Sequence, residues 1–111
     1  MTFDRFDVVV LPFPFSDQLK RKNRPVLVLS SAKFNNESNH LVTAMITTAK
    51  GSVWPLDVPL EDYADASLPV PCLVRMKFFT AARGLIVKKV GKVSRRDAKA
   101  IGLILKQVFA V

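Results

Sequence analysis

Runs of branched apolar residues, separated by short polar stretches, fill the first three quarters of the chain. Each run reads as a β-strand. Residues 7–15, DVVVLPFPF, predict a first strand that should end or bend where Pro12 and Pro14 remove ladder donors. The charged stretch 16–23, SDQLKRKN, is a loop, and PVLVLS, 25–30, is a second strand with proline at its tolerated first position. Ser and Asn dominate 30–40, SSAKFNNESNH, which reads as an irregular connection with room for one short helical turn. LVTAMIT, 41–47, is a third strand followed by the turn TAKGS. VWPLDVPL, 53–60, reads as a fourth, with Trp54, Leu56 and Val58 on one face by the period of two. The pattern breaks over EDYADASLP and resumes in CLVRMKFF, 72–79, and RGLIVKKVGKV, 83–93, two strands flanking the link TAA.

The period changes at the C-terminus. In SRRDAKAIGLILKQVFA, Ala98, Ile101, Leu105 and Val108 fall on one stripe and predict a helix. Ser94 precedes Asp97 by three residues, a capping box with a shorter acid in the Glu/Gln place, while Gly102 weakens the helix by roughly 1 kcal/mol against alanine. Five or six short strands and a terminal helix predict a β-rich α+β fold, a small curled antiparallel sheet or barrel with the helix packed on it.

Length adds that the 111 residues should form one domain spanning 1–111. The longest apolar run, VVVLPFPF, has eight residues and two prolines, too short to cross a bilayer as a helix. MTFDRFD lacks the apolar core of a secretory signal, so the expectation is a cytoplasmic protein that needs no membrane. Cys72 is the only cysteine and His40 the only histidine, which excludes an internal disulfide and leaves a zinc site short of its usual ligands. No P-loop or dinucleotide fingerprint occurs. Asp57, Glu61, Asp62 and Asp65 match no standard metal loop and read as a solvated segment, so neither metal nor cofactor is expected.

Charge changes the picture more. The net charge is +8, and residues 75–111 hold ten basic groups against Asp97 alone, whereas 1–74 hold seven basic and eight acidic groups. A polyanion is the partner this skew suggests, nucleic acid first and an acidic protein segment second. Arg24 stands out in this respect. It sits with Pro25 at the entrance of a buried strand, behind the basic run KRK, where a guanidinium either solvates its head or faces something anionic.

Arginine, lysine, threonine and serine near strand ends suit cleavage of RNA by its own 2′-hydroxyl. That reaction requires a phosphate held in line, charge stabilisation of a pentavalent transition state and proton transfers, with no metal. Arginine donates two bonds to phosphate, a threonine hydroxyl holds a nonbridging oxygen, and the high arginine pKa assigns it stabilisation rather than proton donation.

In order along the chain, FDVVVLPFPFSD, RPVLVLS, AMITTA, CLVR and KKVGKVS resemble the MazF/PemK-type toxins of bacterial toxin–antitoxin pairs, from about Phe6 to the final helix. The resemblance implies an SH3-like barrel with a C-terminal helix, a homodimer, and sequence-preferring cleavage of single-stranded RNA. It also implies a cognate antitoxin whose acidic, largely disordered segment covers the RNA groove. Carried over by position, it assigns Arg24, Thr47, Thr48 and Arg75 to catalysis. Ser16, Lys20, Arg21, Lys22, Lys50 and Lys77 are then expected to guide RNA, with residues 16–23 as the loop where RNA and antitoxin compete. The chain departs from the family pattern at Phe6, where glycine is usual, and at Lys77 and Phe78, where many members have an acid and a glutamine. Two alternatives remain open from sequence: a toxin of the same fold that inhibits a protein such as gyrase, and a non-catalytic nucleic-acid-binding barrel.

Overall fold

The computed structural model describes residues 2–13, 22–51 and 53–111. Its elements are β1 (Asp7–Phe13), β2 (Lys22–Val28), α1 (Ala32–Ser38), β3 (His40–Thr48), β4 (Val58–Pro59), β5 (Cys72–Ala82), β6 (Lys88–Lys92) and α2 (Arg95–Phe109). Among the described residues the strands form one six-stranded antiparallel sheet in the order β4-β5-β3-β2-β1-β6.

Both faces of this curled sheet are buried, which is why its strands read as continuous apolar runs. Val8, Leu27, Ala44, Ile46, Val58 and Val74 point to one face, where Ile101 and Leu105 of α2 pack on them. Val9, Leu11, Val26, Val28, Leu41 and Met45 point to the other, where Phe3 covers them. Ala98 and Val108 flank Ile101 and Leu105 on that helix, so the predicted stripe is the one that packs.

The prolines of β1 and β2 sit where one neighbouring strand is missing. Pro12 lies opposite Asn23, beyond Val10, where β6 stops pairing with β1. Pro25 pairs with Val10, one residue before β3 begins to pair at Val26. Neither therefore interrupts a ladder that needs its missing N–H.

Several elements differ from the sequence expectation. β2 begins at Lys22, so Lys22 and Asn23 belong to the strand and not to the loop. The 30–40 connection holds a seven-residue helix capped by Ser31, whose Oγ accepts from the Phe34 N–H at 3.2 Å. The buried Asn35 anchors it, donating to the Phe3 carbonyl at 3.0 Å and the Ser30 carbonyl at 3.2 Å. β5 runs on through Thr80–Ala82, and β6 shrinks to five residues. Of 53–60 only Val58–Pro59 is strand, because Trp54–Asp57 forms a tight turn, so Trp54, Leu56 and Val58 do not share a strand face.

The capping box is half realised. Ser94 Oγ accepts from the Asp97 N–H at 3.2 Å, but the buried Asp97 carboxylate turns away. It accepts from the N–H groups of Glu61 and Asp62, both at 2.9 Å, and pins residues 61–62 to the start of α2. Nearby, a Cβ on Gly91 would lie 2.9 Å from the Ala66 carbonyl, so only glycine permits this approach of β6 to the 61–68 segment.

Candidate functional site

The sheet brings together residues that lie far apart in sequence. Val26 of β2 pairs with Met45 of β3, and Met45 pairs with Arg75 of β5. Continued two residues outward, the β2–β3 register sets Arg24 level with Thr47, which pairs in turn with Leu73. By strand alternation Lys22, Arg24, Thr47 and Arg75 then share the face opposite α2. Arg24 and Thr47 are half-buried, while Lys22 is exposed at the start of β2. Thr48, exposed, pairs with Cys72 and points to the other face, and Lys50 follows in the turn. Ser16, Lys20 and Arg21 lie outside the described residues.

Arg75 is fixed by a residue the sequence reading left in a solvated loop. Its Nε donates to Asp57 Oδ1 at 3.2 Å and its Nη2 to Oδ2 at 2.9 Å, a two-point clasp with both side chains about nine-tenths buried. The Asp57 carboxylate raises the arginine pKa still further, with partial burial opposing it, so the guanidinium stays charged.

The same carboxylate shapes the turn before it. Asp57 Oδ2 accepts from the Trp54 N–H at 3.1 Å, and the Asp57 N–H donates to the Trp54 carbonyl at 3.2 Å. Pro55 and Leu56 fill the corner, with Leu56 at φ 63°, the arrangement of a type II turn with proline first and a left-handed residue second. A leucine there is strained, and the clasp holds it.

Lys77 reaches this turn because of a bulge. Ala44 pairs with Phe78 and the next β3 residue, Met45, with Arg75, so Met76 and Lys77 are extra residues on β5. Bulges of this kind re-aim side chains. The Lys77 ammonium stands 5.5 Å from the centre of the Trp54 ring. Beside the pair lies a cleft of about 250 Å³ lined by Ala49, Lys50, Gly51, Val53, Asp57 and Leu73. Asp57 is the one carboxylate among the described residues that line it.

Other reactive groups stand apart. His40 is exposed, with its Nδ1 2.9 Å from the Ser38 carbonyl oxygen. The Cys72 thiol is pushed up by burial and is a poor nucleophile at neutral pH. No cluster of metal-ligating side chains occurs among the described residues, and none of their helices is long and apolar enough to cross a membrane. A larger groove of about 770 Å³ runs between α1 and α2, lined by Leu29, Phe34, Val42, Leu103 and Phe109. It is mainly apolar and holds none of the sequence-expected site residues, whereas the smaller cleft is lined by one of them, Lys50.

Asp57 and Trp54 are what sequence reasoning missed. Tryptophan, proline and aspartate at 54, 55 and 57 are turn chemistry, with proline at the second position, and that signal was present inside the run read as a strand.

An open antiparallel sheet curled around one helix, with paired basic and hydroxyl groups on its helix-free face, defines the class. Residues 4–109 match the family described as PemK-like, MazF-like toxin of type II toxin-antitoxin system, and the chain belongs to that family. No curated protein sequence matches it. Among solved structures, MazF from Deinococcus radiodurans is 18% identical with a TM-score of 0.77, over 100% of this chain and 99% of that one. An endoribonuclease in complex with its cognate antitoxin, from Mycobacterial species, is 17% identical with a TM-score of 0.76, covering 98% and 96%. The Mycobacterium tuberculosis toxin MazF-mt6 is 19% identical with a TM-score of 0.72, covering 95% and 97%. At such identities the likeness confirms the expected fold.

Proposed function

We propose that this single-domain chain is a cytoplasmic endoribonuclease toxin that cleaves single-stranded RNA without a metal and so arrests growth. The observation that carries the reading is the placement of Arg24, Thr47 and Arg75 on one sheet face beside the cleft at Asp57 and Lys50. In this reading Arg24 and the Thr47 hydroxyl donate to the nonbridging oxygens of the scissile phosphate. Arg75, oriented by Asp57, stabilises the charge of the pentavalent transition state, and Thr48 borders the entry. The 2′-oxygen forms its bond to phosphorus as the bond to the 5′-oxygen breaks, leaving a cyclic phosphate. One proton leaves the 2′-hydroxyl and one reaches the departing 5′-oxygen, both through solvent at this exposed rim. The nucleophile belongs to the substrate, so positioning and electrostatics are what the protein supplies.

Lys22, Lys50 and Lys77 would guide the strand, as would Ser16, Lys20 and Arg21 before β2. The proposed regulator is a cognate antitoxin with an acidic segment, by analogy with the Mycobacterial endoribonuclease bound to its own antitoxin, and the proposed assembly is a homodimer. Lys77, in place of an acid, favours the second reading, an RNA-binding barrel that does not cut.

The test is incubation of wild type, Arg24→Ala and Thr47→Ala with a long single-stranded RNA in EDTA, with the product ends mapped. Discrete cuts by wild type and a loss of at least a hundredfold in each variant are expected. Intact RNA bound by folded wild type would replace the nuclease by the non-cleaving barrel. Growth arrest without binding or cutting would point to a protein target.

A further inference from the structure

We propose that Trp54 is a stacking platform for a nucleobase of the bound strand. The platform deepens the RNA reading above and rests on it. Four observations converge on this side chain. First, Trp54 is 39% exposed, the largest aromatic of the chain left open to solvent, and it lies in the turn between Val53 and Asp57, two residues that line the cleft.

Second, its backbone is locked. The reciprocal bonds with Asp57, the proline in the corner and the left-handed Leu56 fix where the indole leaves the chain. The turn is strained and over-determined, and strain of this kind gathers at ligand clamps.

Third, the lock is shared with the phosphate side of the site. One Asp57 oxygen accepts from both the Trp54 N–H and Arg75 Nη2, which ties the indole to the guanidinium through a single carboxylate. A nucleotide places its base and its phosphate at a fixed reach, so a platform and a phosphate donor joined in this way match one ligand.

Fourth, Lys77 lies over the ring, showing that the indole face is open to a cation and that a positive charge waits beside it. This exposed contact is weak and easily exchanged, and the ammonium released by an incoming base would meet the adjoining phosphate. Stacking tolerates any base, because every base has a π-face, so Trp54 sets affinity and register rather than sequence preference.

Because the chain has a single tryptophan, its fluorescence reports this residue alone. The experiment titrates the protein with an all-2′-deoxy strand of the cleaved sequence, which binds without offering a nucleophile. Single abasic sites are then walked along it, while cleavage of the RNA is measured in parallel. Saturable quenching that one abasic position abolishes is expected. Trp54→Ala should raise KM about ten- to a hundredfold with kcat within about threefold, and Trp54→Phe should restore most of the loss. Unchanged KM in the alanine variant, or quenching indifferent to every abasic position, with wild type still cutting RNA, would overturn the platform and leave the nuclease standing. Folded wild type that neither binds nor cuts RNA would overturn both.

Discussion

Asp57 carries more of this site than its surroundings in sequence suggest. Charge-assisted hydrogen bonds are worth about 1.5–3 kcal/mol each, and this carboxylate makes two to Arg75 and one to the Trp54 N–H. Asp57→Asn keeps the shape and removes the charge. We expect kcat for RNA cleavage to fall about tenfold or more while KM changes little, because the guanidinium loses its orientation rather than its charge. Asp57→Glu should recover part of the rate if reach to Arg75 is what matters. Equal activity in all three proteins, measured at matched folded fractions, would remove Asp57 from the site. Phe6 teaches a related lesson. The departure from the family's usual glycine was visible in the sequence, but its cost was not: Phe6 adopts φ 71°, the left-handed region glycine enters freely. The ring is retained by packing on the core beside Val8 and by the Arg5 guanidinium 4.6 Å from its centre.

Elements with a strong period were legible, and those held by side chains were not. β1, β2, β3 and α2 follow from apolar runs and the 98–101–105–108 stripe, since burial on both faces writes itself into composition. α1 was seen only as a possible turn, because its stability comes from the buried Asn35 bonded to Phe3 and Ser30, which no periodicity encodes. The β5 bulge was missed for the same reason, whereas the 54–57 turn was masked by the apolar alternation around its proline and aspartate; with them went the route by which Asp57 and Lys77 reach Arg75 and Trp54. Asp97 belongs to this group. Asp97→Ala would orphan the N–H groups of Glu61 and Asp62 and should cost about 2–3 kcal/mol in urea unfolding. Cleavage well below the midpoint should persist, since α2 packs on the face away from the site. Asp62 adds a pH dependence. Its carboxyl is held below the usual range by the Arg96 guanidinium first and the Ser94 hydroxyl second. Its contribution is therefore present above the unfolded value, about pH 4, and lost as pH falls through the depressed folded value. Asp62→Asn should flatten that part of the acid limb in a pH series of thermal midpoints.

At the scale of the molecule, the net charge of +8 does not collect where the sequence skew implied. Of the ten basic residues after position 74, Arg75 and Lys77 alone stand at the proposed site. Lys88, Lys89 and Lys92 lie on the edge strand β6, where Lys89 and Lys92 pair with Asp7; Arg96 pairs with Asp62, and Arg83 lies over the Phe3 ring. Arg95, Lys99 and Lys106 ride on α2, which covers the other face of the sheet. With Arg75 neutralised by Asp57, the cations of the proposed footprint are Lys22, Arg24, Lys50 and Lys77, joined by Lys20 and Arg21 before β2, with the remaining charge acting as a long-range field that steers the strand inward. Counterion release gives a slope of about −0.7 per neutralised phosphate for single strands, so a six-cation footprint predicts log K falling against log salt with a slope of about −4.2. The slope is to be measured by Trp54 quenching with the all-2′-deoxy strand between about 50 and 300 mM salt. A slope near the predicted value places binding on the face that holds Arg24, Thr47 and Arg75. A slope of about −6 or steeper would mean that the strand also runs around β6 and α2, and that the charge skew, rather than the sheet face, marks the binding track.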